Sequence, residues 1–202
     1  MTTITADLVK TLREKTGVGM MECKKALQEA EGDLAAAEKI LRKRGMATAA
    51  SKAGRATGEG SIVSYVHTGG KIGVLVEVNC ETDFAARNED FQTLARDIAM
   101  HIAAAAPRFV SRDQVSQQML DDEREIARDQ AIKSGKPANV AEKIVEGKMD
   151  KFYAEVCLLE QPFVKDPAKS VGQLVTEAVT RIGENIQVSR FVRYVLGDGA
   201  GA

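Results

Sequence analysis

The sequence contains few of the residues that usually carry chemistry. Its 202 residues include two histidines, three cysteines and no tryptophan, and only 4% of them are aromatic. So low an aromatic content disfavours a protein that stacks the bases of single-stranded nucleic acid. Cys23, Cys80 and Cys157 are far apart and odd in number, which excludes a disulfide framework and a paired-thiol motif. We expect three free thiols, buried or half-buried.

Motifs for metals, phosphates and covalent catalysis are also missing. Neither His67 nor His101 has a neighbouring ligand at zinc-site spacing. The nearest approach to a nucleotide-triphosphate loop, residues 45–52, has Ser51 where the tight turn needs glycine. No Gly-x-Ser-x-Gly elbow is present. The sequence therefore predicts no metal, no cofactor and no covalent chemistry of its own.

Charge and hydropathy exclude two classes of partner. The 28 basic and 29 acidic residues give a net charge of −1, which disfavours a whole-chain grip on nucleic acid or on an acidic membrane. Residues 1–55 carry 11 basic and 7 acidic side chains, a net +4, and we interpret the cationic cluster 39–44 as a solvated helix end. No apolar run reaches the length of a membrane span, and the first residues lack a signal pattern. We expect a cytoplasmic protein.

The first 45 residues are predicted to form three short helices. Thr5 is a helix N-cap and Gly17 ends the first helix; the second begins near Met20; Asp33 caps the third, which Gly45 ends. Residues 46–60 are small, polar and punctuated by glycine, and this composition favours an interdomain linker.

Residues 61–202 are predicted to form a core of antiparallel strands and helices, so that the fold class is α+β with an N-terminal three-helix bundle. A hairpin with a Gly69-Gly70 turn joins residues 61–67 to the alternating strand 71–80. Four helices are expected: over Asn88–Ala106, from a Ser111/Gln114 capping box to Gly135–Pro137, over Asn139–Val156, and after a Ser170/Gln173 capping box. Residues 186–195 are predicted to form a closing strand. Both of its faces carry polar residues, so the pattern does not define its register.

Phe84 is a bulky apolar side chain in the middle of a strand-to-helix connection, where short polar residues are usual. One interpretation is a hydrophobic staple that tucks Phe84 onto the following helix, with Asp83 as a capping carboxylate. The other is an exposed wedge, flanked by the hydrogen-bonding Thr82 and Asp83, that enters a partner's pocket. Met20 and Met21 raise a similar question, because adjacent helical residues cannot both face a thin core. We expect one to be core and the other a contact surface.

Two longer motifs carry a family resemblance. The segment 16–27, TGVGMMECKKAL, resembles the amino-terminal signature of the bacterial elongation factor Ts family, and the segment 77–84, EVNCETDF, resembles its second signature. Residues 134–137, 141–147 and 161–164 are similar to the same family. The resemblance spans nearly the whole chain in the expected order.

The resemblance implies a guanine-nucleotide exchange factor that promotes GDP release from elongation factor Tu. It also implies that the protein binds this partner in both its GDP-bound and its nucleotide-free forms. It also implies a ubiquitin-associated-like helical domain before the α+β core. The segment that displaces the partner's magnesium would be Thr82, Asp83, Phe84 and Ala85, where alanine stands in place of the family's usual valine. The N-terminal residues implied in partner binding are Leu12, Val18, Gly19, Met20 and Met21.

The chain is short for that family, whose longer members have two related core subdomains and a helical hairpin insertion. Shorter members form homodimers, and we expect the same here, because a missing subdomain leaves a sheet edge exposed. Two other functions stay open at this stage. A pure adaptor would bind a different protein through its three helices, and a small hydrolase or transferase would need a catalytic constellation that the sequence does not display.

Overall fold

The computed structural model describes residues 4–133 and 138–198, and over these ranges the protein is α+β, as predicted. The described residues form two compact units. The first is built from the described part of Met1–Ser61 together with Val78–Ala95 and Leu174–Gln187. The second is built from Ile62–Glu77, Arg96–Gln173 and Val188–Ala202, again over their described parts. No helix in these ranges has both the length and the apolar content of a membrane span.

Three helices begin the chain where the capping residues predict them. They are α1 (Ala6–Thr16), α2 (Met20–Glu29) and α3 (Leu34–Lys52). The Thr5 hydroxyl accepts a hydrogen bond from the Leu8 N–H, and the Asp33 carboxylate accepts one from the Ala36 N–H at 2.9 Å. Gly17 ends α1 in the left-handed region at φ 66°. Their shared core consists of Val9, Leu12, Cys23, Ala26, Leu27, Ala37 and Leu41.

The predicted end of the third helix is wrong, because α3 runs through Gly45 to Lys52. Gly45 is required there for its lack of a side chain: a Cβ atom would lie 2.9 Å from the Thr180 hydroxyl oxygen. Just beyond the end of α3, the Asn185 side-chain amide donates to the carbonyls of Ala53, at 3.3 Å, and Arg55, at 2.9 Å. Half of the expected linker 46–60 is thus helical, while the division of the chain into domains stays a prediction.

A three-stranded sheet follows the order β1-β2-β5, with strands β1 (Glu59–Val66), β2 (Ile72–Cys80) and β5 (Ile186–Val195). The predicted hairpin turn is confirmed, since Gly69 and Gly70 have φ angles of 92° and 69°. Gly60 permits a close approach between β1 and β2, because a Cβ atom on it would lie 2.2 Å from the Val78 carbonyl oxygen.

Two helices of very different length follow β2. The short α4 (Asp83–Arg87) leads directly into α5 (Glu89–Ala105). The start of α5 agrees with the helix predicted over Asn88–Ala106, and Asn88 caps it, because its side-chain oxygen accepts a hydrogen bond from the Asp90 N–H at 2.8 Å. The apolar stripe of α5 is buried, including Phe91, Leu94, Ile98 and Ile102.

The Ser111/Gln114 capping box is wrong. The Gln114 side-chain oxygen accepts from the Val110 N–H at 2.8 Å, and residues 112–114 form only a 3-10 turn. The helix α6 (Gln117–Lys133) begins later, with the Ser116 hydroxyl accepting from the Met119 N–H. It packs against α7 (Ala138–Val156). The range of α7 confirms the helix predicted over Asn139–Val156. The expected stop at Gly135–Pro137 lies outside the described residues.

The Ser170/Gln173 capping box is confirmed in both directions. The Gln173 N–H donates to the Ser170 hydroxyl at 3.2 Å, and the Ser170 N–H donates to the Gln173 side-chain oxygen at 2.9 Å. This box starts α8 (Val171–Ile182), and ahead of it β3 (Pro162–Phe163) and β4 (Asp166–Ser170) pair antiparallel. Residues 186, 188, 192 and 194 lie on one face of β5. This face is buried at Ile186 and Val188 in the first half of the strand and exposed at Val192 and Tyr194 in the second half.

A buried polar network lies in the second unit. His101 has no exposed surface; its Nε2 atom lies 2.9 Å from the Gln161 side-chain oxygen, and its Nδ1 atom accepts from the Val164 N–H at 3.3 Å. The Gln161 side-chain amide donates in turn to the Glu155 carbonyl at 2.7 Å. Because Nδ1 is an acceptor, the imidazole is neutral, and burial lowers the pKa of His101.

A candidate partner-binding site around Phe84

The connection between β2 and α5 is a capped turn. Thr82 is the N-cap of α4: its backbone is extended, and its hydroxyl accepts a hydrogen bond from the Ala85 N–H at 3.3 Å. At the other end of this turn, the Asn88 N–H donates to the Ala85 carbonyl at 3.0 Å. The five residues of α4 are therefore held at both ends by local hydrogen bonds.

The Phe84 ring is 79% exposed. The staple interpretation is therefore wrong, since a ring packed on the following helix would be covered. Ala85 and Ala86 take the buried positions of α4, so these two methyl groups anchor the turn to its own unit. Ala85 consequently offers a partner almost no surface in this conformation, whereas about four fifths of Phe84 is exposed.

Asp83 stands next to the ring with one oxygen engaged. Its carboxylate accepts from the Arg87 guanidinium at 2.8 Å, a pairing of residues four apart on the helix, and both side chains are largely exposed. Such an exposed pair contributes little to stability, about 0.3–0.5 kcal/mol. A partner's donors can therefore compete for the Asp83 carboxylate at small cost.

Glu184 holds the base of the turn from the loop between α8 and β5. One of its carboxylate oxygens accepts from the backbone N–H groups of Glu81 and Thr82, at 3.1 and 3.0 Å. The other oxygen accepts from the Thr82 hydroxyl at 2.6 Å. One carboxylate thus satisfies three donors at the residues just before α4, in a chelating geometry with charge-assisted bonds.

Asn185 and Glu81 extend this attachment. The Asn185 N–H donates to the Glu81 carboxylate at 2.6 Å, and Arg55 lies 3.4 Å from the same carboxylate. The hydrogen bond from Asn185, aided by Arg55, lowers the pKa of Glu81. Asn185 is itself buried and also bonds the chain just after α3, as described above. The turn is therefore tied to the end of the third helix through one buried amide.

The site contains no activated nucleophile. The Cys80 thiol donates to the Thr82 carbonyl at 3.2 Å, and burial, with a smaller effect of Glu184, raises the pKa of Cys80. Burial likewise raises the pKa of Cys157. All three cysteines are free and buried, as expected from the sequence. Across residues 4–133 and 138–198, no three His, Cys, Asp or Glu side chains converge as metal ligands.

The N-terminal candidate residues separate into surface and core. Met20 and Met21 are both exposed, at 44% and 67%, so the expectation that one of them belongs to the core is wrong. Val18 is half-buried and packs against the three-helix core near the start of α2, where Met20 was expected. Gly19 is exposed, while Leu12 is fully buried and offers no surface to a partner.

Glu184 and Asn185 are the functional candidates that sequence reasoning missed. They lie about one hundred residues from the turn that they hold. The local signal was limited to a short polar stretch after Gly183, which has a φ of 85° and ends α8. Nothing in such a stretch indicates which distant backbone groups its side chains will meet.

Comparison with known proteins identifies the chain. A family model described as Elongation factor TS matches residues 24–198. Elongation factor Ts from Koribacter versatilis is 62% identical over 195 residues, which are 96% of this chain and 89% of that protein. The protein of the same name from Acetivibrio thermocellus is 59% identical over 97% of this chain and 91% of its own length. That from Solibacter usitatus is 56% identical over the whole chain and 95% of its own length.

These matches make the chain a translation elongation factor. More narrowly, it belongs to the elongation factor Ts family, which confirms the resemblance found in its two motifs. The family model begins after Met20 and Met21, but the alignment with the Solibacter usitatus protein includes them.

Proposed function

We propose that this protein promotes GDP release from elongation factor Tu, and that Phe84 is the side chain that does so. The supporting observation is the exposed ring on a turn whose own base is fixed by hydrogen bonds. An apolar ring left in water on a rigid support is what a partner's pocket would select. The protein performs no covalent chemistry; its effect is on the partner's nucleotide affinity.

Insertion of Phe84 into an apolar crevice would shift the partner elements that hold magnesium. Magnesium bridges the phosphates of a bound nucleotide and is among the largest local charges in such a site. Asp83 would exchange Arg87 for partner donors and so fix the ring's direction. Thr82 and Ala85 act from within the turn, the first as its cap and the second as its buried anchor. Weaker metal and phosphate contacts then raise the rate of GDP release.

One aromatic side chain is not sufficient for a large effect. A thousandfold acceleration requires a barrier lower by roughly 4 kcal/mol, whereas burying one phenylalanine yields roughly 1.5–3 kcal/mol. We assign the remaining binding energy to the N-terminal surface formed by Gly19, Met20 and Met21, with Val18 beneath it and Leu12 in the core. Binding must favour the nucleotide-free partner, since equal affinity for both forms would shift no equilibrium.

The direct test is GDP release from elongation factor Tu loaded with a fluorescent GDP analogue. Stopped-flow traces are recorded with excess unlabelled GDP, with and without this protein. We expect a release rate that rises with the protein's concentration and then saturates. A pure adaptor would bind the loaded partner and leave the rate unchanged, and that result would reject the exchange function.

We also propose that the protein is a homodimer that pairs through the outer face of its sheet. In the second unit, six large apolar residues of this face are exposed: Ile62, Val66, Leu75, Val192, Tyr194 and Leu196. Arg190 and Glu77 form an ion pair at 2.7 Å on the same face. A patch of this kind is unusual on a monomer, and a second copy would match its apolar centre. We therefore attribute dimerisation to this apolar face of the sheet more than to an unpaired sheet edge.

Sedimentation velocity tests the dimer. We expect the wild-type protein to sediment as a dimer and Leu75→Lys, in the central strand, as a monomer. Ile126→Lys, at an exposed apolar position of α6, is the matched control and should leave the dimer intact. A wild-type monomer at all concentrations, or a Leu75→Lys protein that still dimerises, would reject this surface. We further place the protein in the cytoplasm, with no direct contact to nucleic acid or membrane, in keeping with its net charge of −1.

A further inference from the structure

We propose that Glu184 is a positioning residue for Phe84: its carboxylate fixes the direction in which the turn presents the ring. This inference rests on the proposed exchange function and names a residue outside the motif to which that function is assigned. In the proposed mechanism Glu184 does not contact the partner. It would act only through the backbone N–H groups of Glu81 and Thr82 and through the Thr82 hydroxyl.

The geometry suits a positioning role. The Glu81 and Thr82 N–H groups lie after the last residue of β2 and before the first residue of α4. Neither group is in a strand or helix, so their orientation needs an external acceptor. One oxygen of the half-buried Glu184 carboxylate accepts from both of them, and the other oxygen accepts a hydrogen bond from the Thr82 hydroxyl at 2.6 Å. This leaves the lone pairs of the same hydroxyl free to accept the Ala85 N–H and cap α4.

Three successive interactions connect Glu184 to the direction of the Phe84 ring. Glu184 orients the Thr82 hydroxyl, the hydroxyl caps α4, and α4 carries Phe84 one residue beyond its first position. Without the carboxylate, the hydroxyl can rotate and the two N–H groups must turn to water. The five-residue α4 is too short to hold its own direction by helical hydrogen bonds alone. The ring would then sample many directions, and only some would lead into a pocket.

A reporter at position 84 tests this positioning without any partner. The chain has no tryptophan, so Phe84→Trp introduces a single indole at an exposed site. We expect its fluorescence anisotropy to fall, and its quenching by acrylamide to rise, when Glu184→Gln is added, and more so with Glu184→Ala. The glutamine variant keeps one acceptor oxygen but presents an amide N–H₂ to donors. Glu14→Gln, an exposed charge change in the same unit, is the control and should alter neither reading.

The GDP-release assay then tests whether positioning serves function. It uses proteins that keep the native Phe84 and differ only at position 184. Loss of charge-assisted hydrogen bonds should lower the maximal rate of GDP release about tenfold in Glu184→Ala, with Glu184→Gln in between. The half-saturating concentration should be nearly unchanged, because the N-terminal surface is intact. A variant that is merely less folded would behave oppositely, with an unchanged maximum and a raised half-saturating concentration.

The outcomes separate the two proposals. If the anisotropy at position 84 is the same with glutamate, glutamine and alanine at position 184, the positioning role is rejected whatever the exchange data show. If the anisotropy falls but the maximal release rate stays at the wild-type value, Glu184 orders the turn without serving exchange, and the inference is again rejected. If the wild-type protein does not accelerate release at all, the proposed function fails, while the anisotropy still reports whether Glu184 fixes the turn.

Discussion

Replacing Phe84 with alanine should abolish most of the activity and almost none of the stability. The ring is 79% exposed, so its removal takes away little buried apolar surface from the free protein. Surface substitutions of this kind usually change the free energy of unfolding by no more than about 0.5 kcal/mol. Phe91, seven residues later and fully buried, is the matched comparison. Its replacement by alanine should cost about 3–5 kcal/mol of stability through the cavity it leaves.

The loss of activity follows from the same exposure. Nearly all of the ring remains available for burial by a partner, and full burial of a phenylalanine is worth about 1.5–3 kcal/mol. At about 1.4 kcal/mol per factor of ten, the maximal rate of stimulated GDP release should fall about 10- to 100-fold in Phe84→Ala. Some stimulation should survive, since the N-terminal surface still binds.

Urea denaturation and stopped-flow release of a fluorescent GDP analogue measure the two effects on one protein preparation. The role assigned to Phe84 is refuted if Phe84→Ala stimulates GDP release as fast as the wild type at saturation. It is equally refuted if Phe84→Ala loses as much stability as Phe91→Ala, because the ring would then be part of the core. A loss of release rate with an unchanged denaturation midpoint supports it.

Three further predictions concern other parts of the molecule. The lowered pKa of the buried His101 means that the unfolded chain takes up a proton near pH 6.5 and the folded chain only at lower pH. Stability should therefore decrease as the pH is lowered below about 6.5, by up to about 1.4 kcal/mol per pH unit, and the urea midpoints at pH 7.5 and 5.5 should differ less in His101→Gln. Gly60→Ala should lose about 2–4 kcal/mol in urea denaturation, whereas Gly58→Ala, with open space around it, should not. Met20→Ala with Met21→Ala should raise the half-saturating concentration for GDP release and also lower the maximal rate, because this surface is assigned the part of the barrier reduction that Phe84 does not supply.

Local chemistry made part of the fold predictable. Thr5, Asp33 and the Ser170/Gln173 pair cap their helices where the sequence places them, because an N-cap needs only residues within three positions. The Gly69-Gly70 turn is predictable for the same reason. These features are decided by neighbours in sequence, and they set the starts of α1, α3 and α8 and the turn between β1 and β2.

The errors arose where distant residues decide the outcome. Gly45 resembles a helix stop, yet it lies inside α3, where the Thr180 side chain leaves no room for a Cβ atom. Gln114 resembles the last residue of a capping box, but a backbone N–H at Val110 takes its side-chain oxygen. Met20 has the spacing of a core residue, but Val18, just ahead of α2, packs against the core and Met20 is left exposed. In each case a tertiary contact outweighed a sound local preference.

In the candidate site, too, the residues marked by local sequence could be predicted, and those that depend on distant contacts could not. Phe84 could be singled out from the sequence, because a large apolar residue in a polar connection is anomalous on its own. The choice between staple and wedge could not be made, since both are compatible with the local pattern. Glu184 could not be found at all, because its role depends on a contact across one hundred residues.

The long span between Thr82 and Glu184 has a consequence for a chain that is still being synthesised. Translation proceeds from the N-terminus, so the ribosome completes the motif around Phe84 about one hundred residues before it adds the carboxylate that holds it. A nascent chain therefore carries the ring on a turn that lacks this carboxylate until residue 184 has been added. Under the proposed positioning role, products truncated before residue 184 would not hold the ring in a fixed direction and would compete poorly for the proposed partner.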